Sequence, residues 1–117
     1  MDIAIKRAYE AAGQSDGSRV LVDRLWPRGV SKAKADLAEW AKDIAPSDEL
    51  RAWYGHDPAK WAEFRRRYFA ELSEKPEAVD ALRAMAREGR LTLVYASREE
   101  KLNNAAALRD YLNGERE

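Results

Sequence analysis

Two polar strings hold most of the residues that could do chemistry: Asp23-Arg24-Leu25-Trp26-Pro27-Arg28-Gly29, and Tyr95-Ala96-Ser97-Arg98 with Asn103-Asn104 shortly after it. Arg24, Arg28 and Arg98 carry planar guanidinium forks that match phosphate or carboxylate oxygens. Asn103 or Asn104 would open a helix, where free N–H groups and the helix dipole also favour an anion. Tyr95 would floor a pocket between the strings and Trp26 would wall it. Together these types point to recognition of a small anion, phosphorylated or nucleotide-like. Asp23 and His56 are the groups able to move a proton there. His56 is the only histidine, set in Tyr54-Gly55-His56-Asp57-Pro58. An imidazole suits acid–base work, but a turn between helices is also an ordinary place for a polar residue.

Each piece has a plainer reading. Trp26-Pro27-Arg28-Gly29 could be a rigid turn whose tryptophan plugs the core. Arg24 could pair with Asp23 or Asp43, and Arg98, beside Glu99 and Glu100, could be a solvated loop charge. The asparagines are helix caps before they are anything else. What would make a site is the convergence of the two strings in space, and that depends on the elements that carry them.

Those elements can be read from the pattern. Ile3, Ile5 and Ala8 open the chain as a short strand, followed by the polar turn Gly13-Gln14-Ser15-Asp16-Gly17-Ser18. That link is too short for a helical crossover, so the first two strands should not be a right-handed parallel pair joined by a helix. Val20-Leu21-Val22 and Leu91-Thr92-Leu93-Val94-Tyr95-Ala96 are apolar on both faces, as interior strands are. A short helix follows Ser31 from Lys32 to Ala38. Glu39 to Ile44 alternates as a third strand would, with a helix to Asp43 as the rival. Ser47 caps a helix through Tyr54 that Gly55 closes, and Asp57-Pro58 starts another. The latter carries Trp61, Phe64, Tyr68 and Leu72 on one stripe, and Val79, Leu82, Met85 and Ala86 give a second amphipathic helix. A last helix reaches Leu112. The expected fold is α/β: a small, mixed, partly parallel sheet of about three or four strands packed with about four or five helices, three-layer-like. One domain over residues 1–113 and a frayed tail over 114–117 complete the organisation. If Val20–Val22 and Leu91–Ala96 are parallel neighbours, the two polar strings meet at their carboxyl ends, where open α/β sheets collect ligands.

Composition bounds the alternatives. The 117 residues contain no cysteine, and 21 Lys+Arg balance 21 Asp+Glu. No disulfide framework is available, and one histidine without cysteines makes no zinc site. No Walker loop, dinucleotide fingerprint or G-x-S-x-G occurs, so neither a cofactor nor a metal is expected. Nothing approaches the roughly 20 apolar residues that span a bilayer, and the cytoplasm is the default compartment. Charge balance ranks direct nucleic-acid binding last, because proteins on phosphate backbones carry a basic face. Arg65-Arg66-Arg67 fans across a helix surface; Arg65 alone falls near the apolar stripe, where pairing or snorkelling is the usual role.

Arg19-Val20-Leu21-Val22-Asp23-Arg24-Leu25-Trp26-Pro27-Arg28-Gly29, then Trp40-Ala41-Lys42-Asp43-Ile44-Ala45-Pro46-Ser47, resemble the YeaO-like family, a branch of the family called domain of unknown function 488. Gly55-His56-Asp57-Pro58 with Trp61, Phe64 and Arg65-Arg66-Arg67-Tyr68 fits the same pattern, as does the last strand followed by Asn103-Asn104-Ala105. The resemblance implies a compact α/β domain and brings no established activity. Some members carry transcription-regulator labels, yet no winged helix-turn-helix pattern is present here. Many relatives place a histidine just before the Asn-Asn-Ala motif, where this chain has Leu102. The reading that follows is a binder of a small anionic ligand, with or without catalysis. The alternative is a non-enzymatic protein-interaction or regulatory module.

Overall fold

The computed structural model describes residues 1–115. Four strands, β1 (Ile3–Arg7), β2 (Ser18–Leu21), β3 (Glu39–Trp40) and β4 (Leu91–Tyr95), form one sheet in the order β1-β4-β2-β3. Every pairing is parallel, so the sheet goes beyond the partly parallel one expected. Helices α1 (Lys32–Ala35), α2 (Asp48–Tyr54), α3 (Trp61–Ser73), α4 (Pro76–Glu88) and α5 (Asn104–Leu112) complete the α/β fold. Among the described residues no helix is long and apolar enough to cross a membrane.

Strand β4 explains how the short link after β1 works. It lies between β1 and β2, with Ile5 and Val20 both in register with Leu93. The 8–17 segment therefore returns over β4 rather than joining neighbouring strands. Thr92 donates its hydroxyl to the Asp16 carbonyl at 2.6 Å, and Ser18 donates its N–H to the Arg90 carbonyl at 3.0 Å. Gly17 is required at this crossing. Its φ is 65°, and a Cβ there would stand 2.2 Å from the Arg90 carbonyl oxygen.

Strand alternation sorts the core. Ile3, Ile5, Val20, Leu91, Leu93 and Tyr95 face the helices and pack with Phe64, Tyr68, Leu72, Val79, Leu82 and Leu108. On the other face Ala8, Leu21 and Val94 meet Trp26, Leu37 and Trp40, so loops and short elements form the thinner second cover. An ionic cluster is buried under that cover. Arg19, 3% exposed, donates to Asp16 Oδ2 at 2.7 Å and to the Ala35 carbonyl at 2.9 Å. Lys6 Nζ reaches both Asp16 oxygens at 3.2 Å. Burial pushes the Asp16 carboxyl up, but the Gly13 N–H, Lys6 and Arg19 together outweigh it and hold it below the usual carboxylate value.

The expected caps form. Ser47 accepts from the Leu50 N–H and Asn103 from Ala106, and Gly55 at φ 54° ends α2. Asp57, accepting from Ala59, caps instead a 3-10 turn over Pro58–Lys60, and α3 starts only at Trp61 without a side-chain cap. The α3 stripe buries Phe64, Tyr68 and Leu72 as its spacing predicts, and the Tyr68 hydroxyl donates to the Ile44 carbonyl at 2.6 Å. Two further boundaries differ from expectation. Helix α1 stops at Ala35 because Asp36 turns left-handed, at φ 47°. The third strand pairs only at Glu39–Trp40, after which Lys42–Ile44 coil into a 3-10 turn that buries Ile44. In the segment expected to fray, the Glu115 N–H donates to the Asp110 carbonyl at 3.0 Å; residues 116–117 lie outside the described residues.

Candidate functional site

Because β2 and β4 are parallel neighbours, the segments that follow them emerge side by side at the same sheet end. Asp23 fastens them together. Its Oδ2 accepts the Ala96 N–H at 2.9 Å, and its Oδ1 accepts Asn104 Nδ2 at 3.0 Å. Asn104 Nδ2 also donates to the Val22 carbonyl at 3.1 Å, so the first residue of α5 is pinned to the end of β2. Trp40 Nε1 holds the Asp23 carbonyl at 2.8 Å, and Trp26 Nε1 closes its own turn onto the Val30 carbonyl at 2.6 Å.

A cavity of about 300 Å³ opens between these segments and α2. Trp26, Pro27, Ala45, Pro46, Tyr54 and Phe64 supply apolar wall. Tyr54 stacks on Phe64 with ring centroids 4.3 Å apart and planes 25° apart. Asp23 and Asn104 supply the polar part, while Arg24, Arg28, Arg51 and His56 also border it. The Asp48 carboxylate lies between two of the arginines, 3.0 Å from Arg51 and 3.5 Å from Arg24 Nε. Asp48 is 73% exposed, so these pairs are screened and weak. Arg28 is exposed and makes no ion pair among the described residues; only its carbonyl is engaged, by the Tyr9 hydroxyl at 3.0 Å.

Of the residues marked in the sequence, Asp23, Arg24, Trp26, Arg28, His56, Asn103 and Asn104 line this cavity. Tyr95 and Arg98 are not in its lining. Tyr95 alternates onto the helix face of β4 and is buried in the core, 2% exposed, while Arg98 stands exposed on the loop. Trp26 packs edge-on against Trp40 at 5.4 Å and also lines the cavity. Arg24 pairs with Asp48 rather than with Asp23 or Asp43. Asn103 is spent as a cap, accepting from Ala106 at 2.8 Å and donating to the Glu99 carbonyl at 2.8 Å. Leu102 gives its carbonyl to the Tyr54 hydroxyl at 2.8 Å, and its side chain does not line the cavity.

Among the cavity residues outside the expected site set are Arg51, Tyr54 and Phe64. A signal for two of them exists, because Arg51 and Tyr54 are three apart in a helix and share a face. Phe64 reads as core from its spacing, and it is both core and wall. The arginine run is absorbed elsewhere. Arg66 and Arg67 bind Glu63, whose carboxyl these hydrogen bonds lower to about 2, and Arg65 binds Asp110 and Glu115.

The cavity's chemistry is set by how Asp23 is held. Burial pushes its carboxyl above the usual range, opposed by the hydrogen bonds from Asn104 and Ala96 and by the charge of Arg51. His56, on a left-handed backbone at φ 57°, makes no side-chain hydrogen bond among the described residues. Among the described residues, His56 and Asp23 share the cavity lining without a hydrogen bond between them. What the arrangement offers is a shaped apolar slot with acceptors on one side and cations around it.

Comparison with known proteins finds matches that extend over nearly the whole chain. Residues 2–117 match the family model DUF488-N3i, described as the inactive DUF488-N3 subclade. The uncharacterized protein YeaO of Escherichia coli (strain K12) is 44% identical over 112 residues, covering 96% of this chain and 97% of that protein. The uncharacterized proteins Mb3100c of Mycobacterium bovis and Rv3073c of Mycobacterium tuberculosis are each 42% identical over 96% of this chain and 94% of their own. No solved structure matches significantly. With a full-length model match and relatives of this identity, the chain belongs to the DUF488-N3i family.

Proposed function

We propose that the cavity at the carboxyl ends of β2 and β4 binds a small phosphorylated ligand and does not turn it over. The observation that carries this reading is the set Arg24, Arg28 and Arg51 around one apolar cavity, with Arg28 free of any ion pair among the described residues. Guanidinium groups at a pocket edge bind a phosphate through forked hydrogen bonds while leaving the apolar interior for the rest of the molecule. Binding without turnover is supported by His56 and Asp23, which share the lining but no hydrogen bond, and by the word "inactive" in the family's description.

The test is a thermal-shift series with inorganic phosphate and ribose 5-phosphate. Ligand at about a hundred times its dissociation constant adds roughly 2.7 kcal/mol, which raises Tm by several degrees for a domain of this size. Arg28→Ala should abolish the shift while leaving the unliganded Tm in place. An unchanged shift in Arg28→Ala would remove that arginine from the site. A second reading, a protein-interaction face, is favoured by Leu25, which borders the cavity yet is 65% exposed. A stable complex with another protein that survives Arg24→Ala and Arg28→Ala but not Leu25→Ala would select it.

A further inference from the structure

Two polar groups of the cavity, Asp23 and Asn104, keep unused acceptor atoms, whereas Arg24, Arg28 and Arg51 at its border are donors. This constrains the part of the ligand that meets each. Asp23 accepts one hydrogen bond on each oxygen, leaving further lone pairs on both. Asn104 donates Nδ2 to the Val22 carbonyl and to Asp23, so its side-chain oxygen remains unspent. Both residues line the cavity and both are fixed, Asp23 by the Ala96 N–H and Asn104 by the end of β2. The inner polar wall therefore presents acceptors held in place before any ligand arrives.

An anion cannot sit against that wall, because a second negative charge beside a carboxylate in an apolar setting repels it. The anionic end must stay with the arginines. The buried end must bring hydrogen-bond donors, or the Asp23 and Asn104 acceptors lose solvent without compensation. The apolar part of the lining is made of flat side chains: the stacked Tyr54–Phe64 pair, Trp26, Pro27 and Pro46. Such walls suit a planar ring rather than a flexible polyol. Building on the phosphate-binding reading above, we infer that the buried end of the ligand is a planar ring bearing N–H donors, a nucleobase, so that the site takes nucleoside monophosphates, with Asp23 and Asn104 as the groups that select the ring.

The experiment compares four probes by calorimetry on the intact chain: ribose 5-phosphate, which has no aromatic ring; phenyl phosphate, whose ring has no donors; and adenosine and guanosine 5′-monophosphate. At least one nucleotide should bind about tenfold or more tighter than phenyl phosphate, the difference expected when a buried acceptor gains a donor. Asp23→Asn, which exchanges an acceptor for a donor, should lower nucleotide affinity by about tenfold and leave phenyl phosphate unchanged. Because Asp23 also ties α5 to β2, the wild-type ranking stands as a test by itself if that variant folds poorly. Phenyl phosphate binding as tightly as both nucleotides would overturn the ring assignment and leave the phosphate site intact. No binding by any probe would overturn both.

Discussion

Two aspartates lie near cations in this molecule, and the two places differ in what the charges do. On the second face of the sheet, Asp16 meets Lys6 and Arg19 directly, at 3.2 and 2.7 Å, and its carboxyl stays below the usual value. At the sheet end, Asp23 is bound by an amide and a backbone N–H, its carboxyl is raised, and the nearest arginines pair with exposed Asp48 instead. Charges that close on one another hold a loop in place. Charges kept apart around an apolar cavity remain available to something else. The difference separates a structural cluster from a candidate binding site better than residue type does.

Breaking the first cluster should have the largest effect on stability. Asp16→Asn leaves the Arg19 guanidinium, 3% exposed, without a counter-charge, and should cost about 3–5 kcal/mol in urea unfolding. A loss below about 1 kcal/mol would mean that the cluster is solvated in solution and the contrast is false. Next comes Gly17→Ala, where a strained φ of 65° and a Cβ at 2.2 Å from the Arg90 carbonyl should cost about 2–3 kcal/mol. Wild-type stability in this variant would show that the chain does not cross β4 so closely.

The pH dependence sharpens the comparison because the two aspartates have opposite signs. The folded value of Asp16 is depressed, so its stabilisation is complete above the unfolded carboxylate value of about 3.9 and is lost as pH falls through the folded value. The folded value of Asp23 is raised, so its contribution is complete below the unfolded value and is lost as pH rises through the folded one. Urea midpoints followed from about pH 3 to about pH 7 should therefore move in favour of Asp23→Asn relative to wild type as pH rises. A constant difference would show that Asp23 ionises freely. The smallest effect on stability is expected for Arg28→Ala, within about 0.5 kcal/mol, since its exposed guanidinium has no ion pair among the described residues. A larger loss would make Arg28 structural and move it to the side of Arg19.

How much was legible varies with the range of the interaction involved. The caps at Ser47 and Asn103, the Gly55 stop and the α3 stripe were readable because each depends on neighbours within a turn or two. The short β3 was overread, because an alternating pattern does not reveal where a strand loses its partner. Tyr95, expected at the pocket floor, packs in the helix-face core and is absent from the lining. Tyr54 and Phe64 of that same core do reach the lining, a distinction that strand periodicity does not carry. Arg51 went unmarked because only the approach of α2 to the strand ends gives it a role.

The sequence by itself determined the element types, the apolar character of both faces of β4, and the two polar strings that frame the cavity. These follow from local propensity, capping and periodicity, each contained within a few residues. Only the tertiary structure decided that β4 separates β1 from β2, that Asp16 is paired while Asp23 is not, and which of the arginines surround the cavity. The pairings of Lys6 with Asp16 and of Asp23 with Asn104 join residues far apart in the chain. Whether such a carboxylate is neutralised by a cation or left as an acceptor depends on which strands lie side by side, and that is set by burial of the whole sheet rather than by any segment of it.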